Sequence, residues 1–172
     1  AGLFSVRADG DDLRVLVSPV ARPASGRRGG PEPLPYNHVL LHVPRNGGDE
    51  VVVGELQVSQ GMLVPDVVPK RLNVVTQRAV SLARGAPANA TRWLFDAAGE
   101  PRLVVSTREG RSTVHRRGEG EGSWAPLASF ASLGPGFVPR FLDRDGALYV
   151  TVAGGAEGYA ELRRFDFAAG RV

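Results

Sequence analysis

The sequence predicts an all-β fold: a partial β-propeller of about three to four blades, each a four-stranded antiparallel sheet. Three observations predict it. The chain carries 22 glycines and 13 prolines in 172 residues, more than a helical bundle tolerates, because both residues break helices. Apolar and polar residues alternate in short runs separated by Asp, Asn and Gly, the pattern of strands and tight turns. Finally, the motif strand, aspartate, two residues, glycine recurs with Asp96 and Asp143 47 residues apart, within the 40–50 residues that a propeller blade occupies.

The elements follow in order. Residues 3–6 and 13–17 read as two strands of a hairpin around Asp9-Gly10-Asp11-Asp12, since aspartate and glycine accept the left-handed backbone of such a turn. Residues 22–35, rich in Pro, Gly and Arg, read as a long loop. Its Arg22, Arg27 and Arg28 could meet an anion, although a solvated loop is the ordinary reading. Strands at 38–43 and 51–58 flank Asn46-Gly47-Gly48-Asp49, a strong hairpin signal. Strands at 70–74 and 79–83 flank Thr76-Gln77. The β-branched Val74, Val75 and Thr76 argue against a helix there. Four strands follow at 91–95, 102–107, 112–116 and 124–129, and three more at 138–142, 148–153 and 161–167.

The repeat has a second landmark. Leu72-Asn73 through Gln77-Arg78 matches Phe165-Asp166 through Gly170-Arg171 at an offset of 93 residues, close to two periods. The strands after the glycines align as Leu103-Val104-Val105 with Leu148-Tyr149-Val150. The hairpin at 3–10 is read as a further copy of the Phe165–Gly170 turn, the third strand of a blade. It lies 69 residues before Leu72, with the 22–35 loop as the surplus. The expected division is therefore 1–19 as the end of one blade, 20–36 as a loop, 37–88 and 89–133 as two blades, and 134–172 as an incomplete blade. Propellers close with 4–8 blades, so the chain reads as a single propeller fragment cut from something longer.

Composition narrows the function. The net charge is only +3 although the pI is about 9.9; arginine, which does not titrate near neutrality, supplies the basicity, and Lys70 is the sole lysine. Acids are interspersed with the arginines, which argues against a nucleic-acid partner. No apolar run reaches the ~20 residues of a membrane-spanning helix, and no signal peptide opens the chain. Without cysteine there is no disulfide or thiolate metal site, and the compartment is left open.

Candidate sites are few. On one strand His38 and His42 share a face but lie ~13 Å apart at 3.3 Å per residue, too far for a common metal, and His115 stands alone. No metal and no cofactor is expected. Asp143-Arg144-Asp145-Gly146 resembles the start of a calcium loop but lacks the closing glutamate, so a hairpin turn is the better reading. The glycine-rich stretches at 118–122 and 154–158 carry glutamate and open no helix, which disfavours phosphate binding. Asn89-Ala90-Thr91 is formally a glycosylation acceptor, discounted because the Arg/Ala/Gly bias suggests a bacterial gene. Trp93, Phe95, Trp124, Phe130 and Phe141 read as core between blades.

The run from Leu94 to Val105, with Leu148-Tyr149-Val150 and Leu162-Arg163-Arg164-Phe165-Asp166-Phe167, resembles the propellers of bacterial prolyl oligopeptidase-like serine peptidases. The resemblance spans residues 37–172 and, more weakly, the first 20. It implies a propeller that caps a C-terminal α/β-hydrolase domain, restricts access and positions peptide substrates. The catalytic serine, aspartate and histidine of that family lie in the hydrolase domain. No Gly-x-Ser-x-Gly elbow occurs here, so no catalytic residue is carried over and the chain is not expected to be an enzyme by itself. The expected partners are the hydrolase domain, a peptide, and a second copy joined through open sheet edges. The alternative is a free-standing all-β module that binds carbohydrate or protein.

Overall fold

The computed structural model describes residues 2–20, 32–58, 66–118, 122–154 and 158–172. Each of the thirteen segments read as strands forms one, and the strands make four antiparallel sheets. The protein is all-β. Among the described residues there is no closed barrel or propeller ring, and no helix is long and apolar enough to cross a membrane. Arg22, Arg27 and Arg28 lie outside the described residues, as do parts of the two glycine-rich stretches. The chain divides into two compact units, Ala1–Ala83 and Arg84–Val172.

In the first unit β1 (Leu3–Ser5) pairs with β2 (Arg14–Val17). A four-stranded sheet follows, with β3 (His38–His42), β4 (Glu50–Gln57), β5 (Asp66–Asn73) and β6 (Ala79–Ser81) in chain order. Leu16 of β2 packs on Val53 and Leu72, with Leu3, Leu34, Val51 and Val74 around them. Leu34, in the described part of the predicted loop, bridges to Val17 in parallel. Inside β4, Gly54 is needed: a Cβ there would stand 2.7 Å from Val67 Cγ1 and 2.8 Å from Leu41 Cδ1, closer than side-chain atoms can approach.

In the second unit β7 (Ala90–Phe95), β8 (Pro101–Arg108), β9 (Arg111–Arg117) and β10 (Trp124–Ala131) form one sheet in chain order. A second sheet holds β11 (Phe137–Leu142), β12 (Leu148–Val152) and β13 (Glu161–Arg164). The two sheets share one core. Leu94, Leu103, Val105 and Val114 from the first meet Leu148, Val150 and Phe165 from the second. Full burial of each such side chain contributes about 1.5–3 kcal/mol. The opposite face of β8 is also buried, through Val104, and Trp93, its cross-strand partner, meets Trp124 edge-on at 5.5 Å.

The repeat is visible in the turns. Asp96 N–H donates to Glu100 O and Gly99 N–H to Asp96 O; Asp143 N–H donates to Ala147 O and Gly146 N–H to Asp143 O. Gly99 and Gly146 both take positive φ, 83° and 79°, which glycine adopts without the penalty a side chain brings. Asn73 and Asp166 are a second matched pair. Asn73 N–H donates to Arg78 O, and Asp166 N–H to Arg171 O. Their Oδ1 atoms accept the N–H groups of Val75 and Thr76 and of Ala168 and Ala169.

Three sequence readings are corrected here. The hairpin of β1 and β2 closes with Arg7 N–H on Asp11 O and Gly10 N–H on Arg7 O. That is the spacing of the Asp96 turn, not of the longer Asp166 turn to which it was matched. The alignment of the strands after the glycines also shifts by one. A bulge leaves Arg102 unpaired in β8, whereas in the other sheet Arg140 is unpaired in β11. Counting ladder pairs from the turn, Val104 matches Val150 rather than Tyr149. Lastly, Leu41 is the extra residue of a bulge in β3, so His38 opposes Glu55 while His42 opposes Val52. Side chains opposite each other across a ladder share a face, and Glu55 and Val52 point to opposite faces. His38 and His42 therefore do not share one.

Candidate functional site

The second unit contains a cleft of about 360 Å³ at the end of its strands where the Asp96 and Asp143 turns lie. Four arginines line it: Arg102, Arg116, Arg117 and Arg144, with Asp96, Asp143 and Asp145 among them and Leu103, Leu142 and Phe167 as apolar wall. The bulge aims Arg102 back at its own turn, where Nε donates to Asp96 Oδ2 at 2.8 Å, the kind of redirection bulges provide. The other oxygen of Asp96 accepts the N–H groups of Ala98 and Glu100. Burial pushes the Asp96 carboxyl up, but the Glu100 N–H and the Arg102 guanidinium outweigh it and hold the group below its ordinary value. Arg117 pairs with Glu100 at 3.8 Å and lies 6.0 Å from the Trp124 ring.

Arg116 differs from these. It follows buried Val114 by two residues in β9, so it lies on the core-facing side of the sheet. Its guanidinium carbon sits 4.4 Å above the Phe167 ring. The core thus ends in a stacked cation instead of an apolar side chain. Asp143 spends Oδ1 on the N–H groups of Asp145 and Ala147 at 3.0 and 2.8 Å. Its loop forms a hairpin turn.

A second polar group lies on the opposite face of β8 and β9. Ser106 Oγ is 2.9 Å from His115 Nε2, and burial pushes the His115 imidazole below its usual range. Thr113, Ser129 and Arg111 continue this polar row. A serine–histidine pair acts as a nucleophile when a third group orients the ring and the serine stands on an exposed elbow. Among the described residues no carboxylate contacts His115, and Ser106 lies within a regular ladder opposite Thr113. The pair is therefore a cross-strand hydrogen bond.

The third group is in the first unit. His38 Nδ1 bonds Pro35 O at 3.0 Å, which makes Nδ1 the protonated nitrogen and leaves Nε2 to accept from Lys70 Nζ at 3.3 Å. Lys70 also pairs with Glu55 at 2.9 Å. Burial is the main cause that pushes His38 below its ordinary value. Lys70 and Glu55 escape sequence reasoning because neither falls in a motif; only the β3–β4–β5 register brings them to His38.

The remaining residues singled out in the sequence fall as follows. Trp93 and Phe95 are buried, and half-buried Phe130 packs on Phe137 at 5.2 Å. Phe141 is not core. It is 46% exposed and stacks on Tyr149 at 4.9 Å, because the Arg140 bulge turns it to the outer face. Asn89 takes a positive φ of 57° at the entry to β7, and its carbonyl accepts the Thr107 N–H. Among the described residues no cluster of three or more His, Cys, Asp or Glu is arranged to hold a metal. No protein-family model matches the chain, and no curated protein or solved structure matches it either.

Proposed function

We propose that the chain is the non-catalytic β-propeller portion of a prolyl oligopeptidase-like serine peptidase, which gates or positions peptide for a hydrolase domain carried elsewhere in the parent protein. The observation that carries this reading is the recurrence of one hairpin turn, at Asp96 and Asp143, in two successive sheets packed face to face. Strands buried on both faces support it too: Val52 and Val53 are both fully buried in β4, as are Leu103 and Val104 in β8. Sheets stacked between other sheets require such strands. Open edges such as β13 offer unpaired N–H and C=O groups to a second copy.

Two measurements test the reading. The full reading frame should encode a nucleophile elbow downstream of Val172. The isolated chain should hydrolyse no aminoacyl or dipeptidyl chromogenic substrate. A reading frame without a hydrolase, or turnover abolished by a serine-directed inhibitor, would overturn it. One observation favours the second reading, a free-standing binding module: the arginine-lined cleft is complete within the second unit.

A further inference from the structure

We propose that the cleft of the second unit binds a carboxylate, with Arg116 as its principal receptor and Arg144 as its second cation. Charge bookkeeping among the lining residues leads there. Asp96 is neutralised by Arg102, and Arg117 is engaged with Glu100. The side chains of Arg116 and Arg144 make no ion pair or hydrogen bond among the described residues, and both line the cleft. The Arg116 guanidinium is held against Phe167 by its face, while its N–H donors remain available. A guanidinium fixed on an aromatic ring presents a planar fork that matches a carboxylate, and little side-chain freedom is lost on binding because the ring already restrains it. Leu103, Leu142 and Phe167 give an apolar wall for the group that carries the carboxylate.

The acids of the wall set the ligand's charge. Asp143 and Asp145 stand in the same cleft, so a doubly charged phosphate would meet two carboxylates, whereas a singly charged carboxylate lies between the two guanidinium groups at lower repulsion. Peptides supply this chemistry in two ways, through a free C-terminus or through an Asp or Glu side chain. The choice of peptide rests on the proposed scaffold function; the carboxylate preference does not. Hence a hydrolase missing from the reading frame would overturn that function and leave the binding result standing.

The test titrates the 15N-labelled 172-residue chain and follows the arginine Nε–H signals. The probes are an N-acetylated apolar tripeptide with a free C-terminus, its C-terminal amide, an amidated peptide with one internal glutamate, and inorganic phosphate. The free-acid peptide should move the Arg116 and Arg144 signals, and the neutral amide should not. If the glutamate peptide binds more tightly than the free acid, the source is a side chain; the reverse order assigns it to the C-terminus. Arg116→Gln should weaken binding roughly tenfold or more. Arg108→Gln, on the opposite face of β8, should leave it unchanged and controls for net charge. Equal binding of acid and amide, tighter binding of phosphate, or undiminished binding by a folded Arg116→Gln variant would overturn the proposal.

Discussion

Asp96 and Asp143 make the same pair of hydrogen bonds: in each, Oδ1 accepts the backbone N–H groups two and four residues ahead, at 2.8–3.0 Å. The turn therefore depends on one side-chain oxygen, and its loss leaves two donors to find water. Replacement of either aspartate by alanine should cost about 1–2 kcal/mol of stability. Asparagine keeps the accepting oxygen. At position 96 it should cost less than alanine but forfeit the Arg102 ion pair. Chemical denaturation of the four variants checks the order. Asp96 also carries a pH signature. Its carboxyl is held below the ordinary value of 3.8, so its contribution is present above that value and is lost as the pH falls through the folded-state pKa. Asp96→Asn should flatten this part of the acid limb; an unchanged limb would refute the assignment.

His38 should make the first unit sensitive to mild acid. Its folded-state pKa lies below the ordinary 6.5, from burial and from the neighbouring Lys70 ammonium. The unfolded chain therefore binds the proton more readily. The contribution is fully present above about pH 6.5 and is lost as the pH falls through the lower folded value. His38→Gln should reduce this slope between pH 7 and 5, as read from urea midpoints across that range. His115, lowered by burial as well, leaves a residual slope in the variant, so a slope equal to that of the wild type would refute the assignment to His38.

The β8–β9 turn holds a strained residue. Glu109 and Gly110 both take positive φ, 50° and 72°, between the paired Arg108 and Arg111. A two-residue turn of this kind favours Asn-Gly. The exposed Glu109 carboxylate pairs with Arg108 beside it, a pair of small worth in water. Glu109→Asn should stabilise the protein by about 0.5–1 kcal/mol. A thermal midpoint that falls instead would show that the glutamate has a role the turn geometry does not explain.

The proposed self-association has a specific edge. β13 borders its sheet, and Leu162 on it is 56% exposed. Light scattering at micromolar concentration should find a dimer. Leu162→Lys, a charge of the kind that blunts edges, should shift it toward monomer. A wild-type chain that stays monomeric up to high concentration would contradict pairing through the edges.

The positions of all thirteen strands could be read in the sequence because their signals are local: alternation inside each run, Asp, Asn and Gly between them. The bulges could not. A bulge adds one residue at Leu41, Arg102 or Arg140, and any residue type can occupy it. A single extra residue reverses every face beyond it, which is why His42 and Phe141 point away from their expected sides. The cleft was hidden for a related reason. Arg116 and Phe167 are far apart in the chain, and only the packing of two sheets brings cation to ring. No residue pattern marks a charged side chain at the end of an apolar row.

The opposite placement of the two bulges limits how these modules could be exchanged. Beside the turn, the extra residue lengthens the second strand of the hairpin in one sheet and the first in the other. A recombinant that joined β7 to β12 at the shared aspartate turn would inherit neither Arg102 nor Arg140, and one that joined β11 to β8 would inherit both; the other extra residue of the first pair, Thr91, lies farther from the turn and stays with β7. The turn itself would close in either chimaera. In each, the two arms would differ by one residue from the parental count, and the strand that entered would face its neighbours a half-pleat out of phase. Repeats that look interchangeable at the turn are thus tied in their own strand pairs, and a graft that preserves the fold must cut between sheets and never within a hairpin.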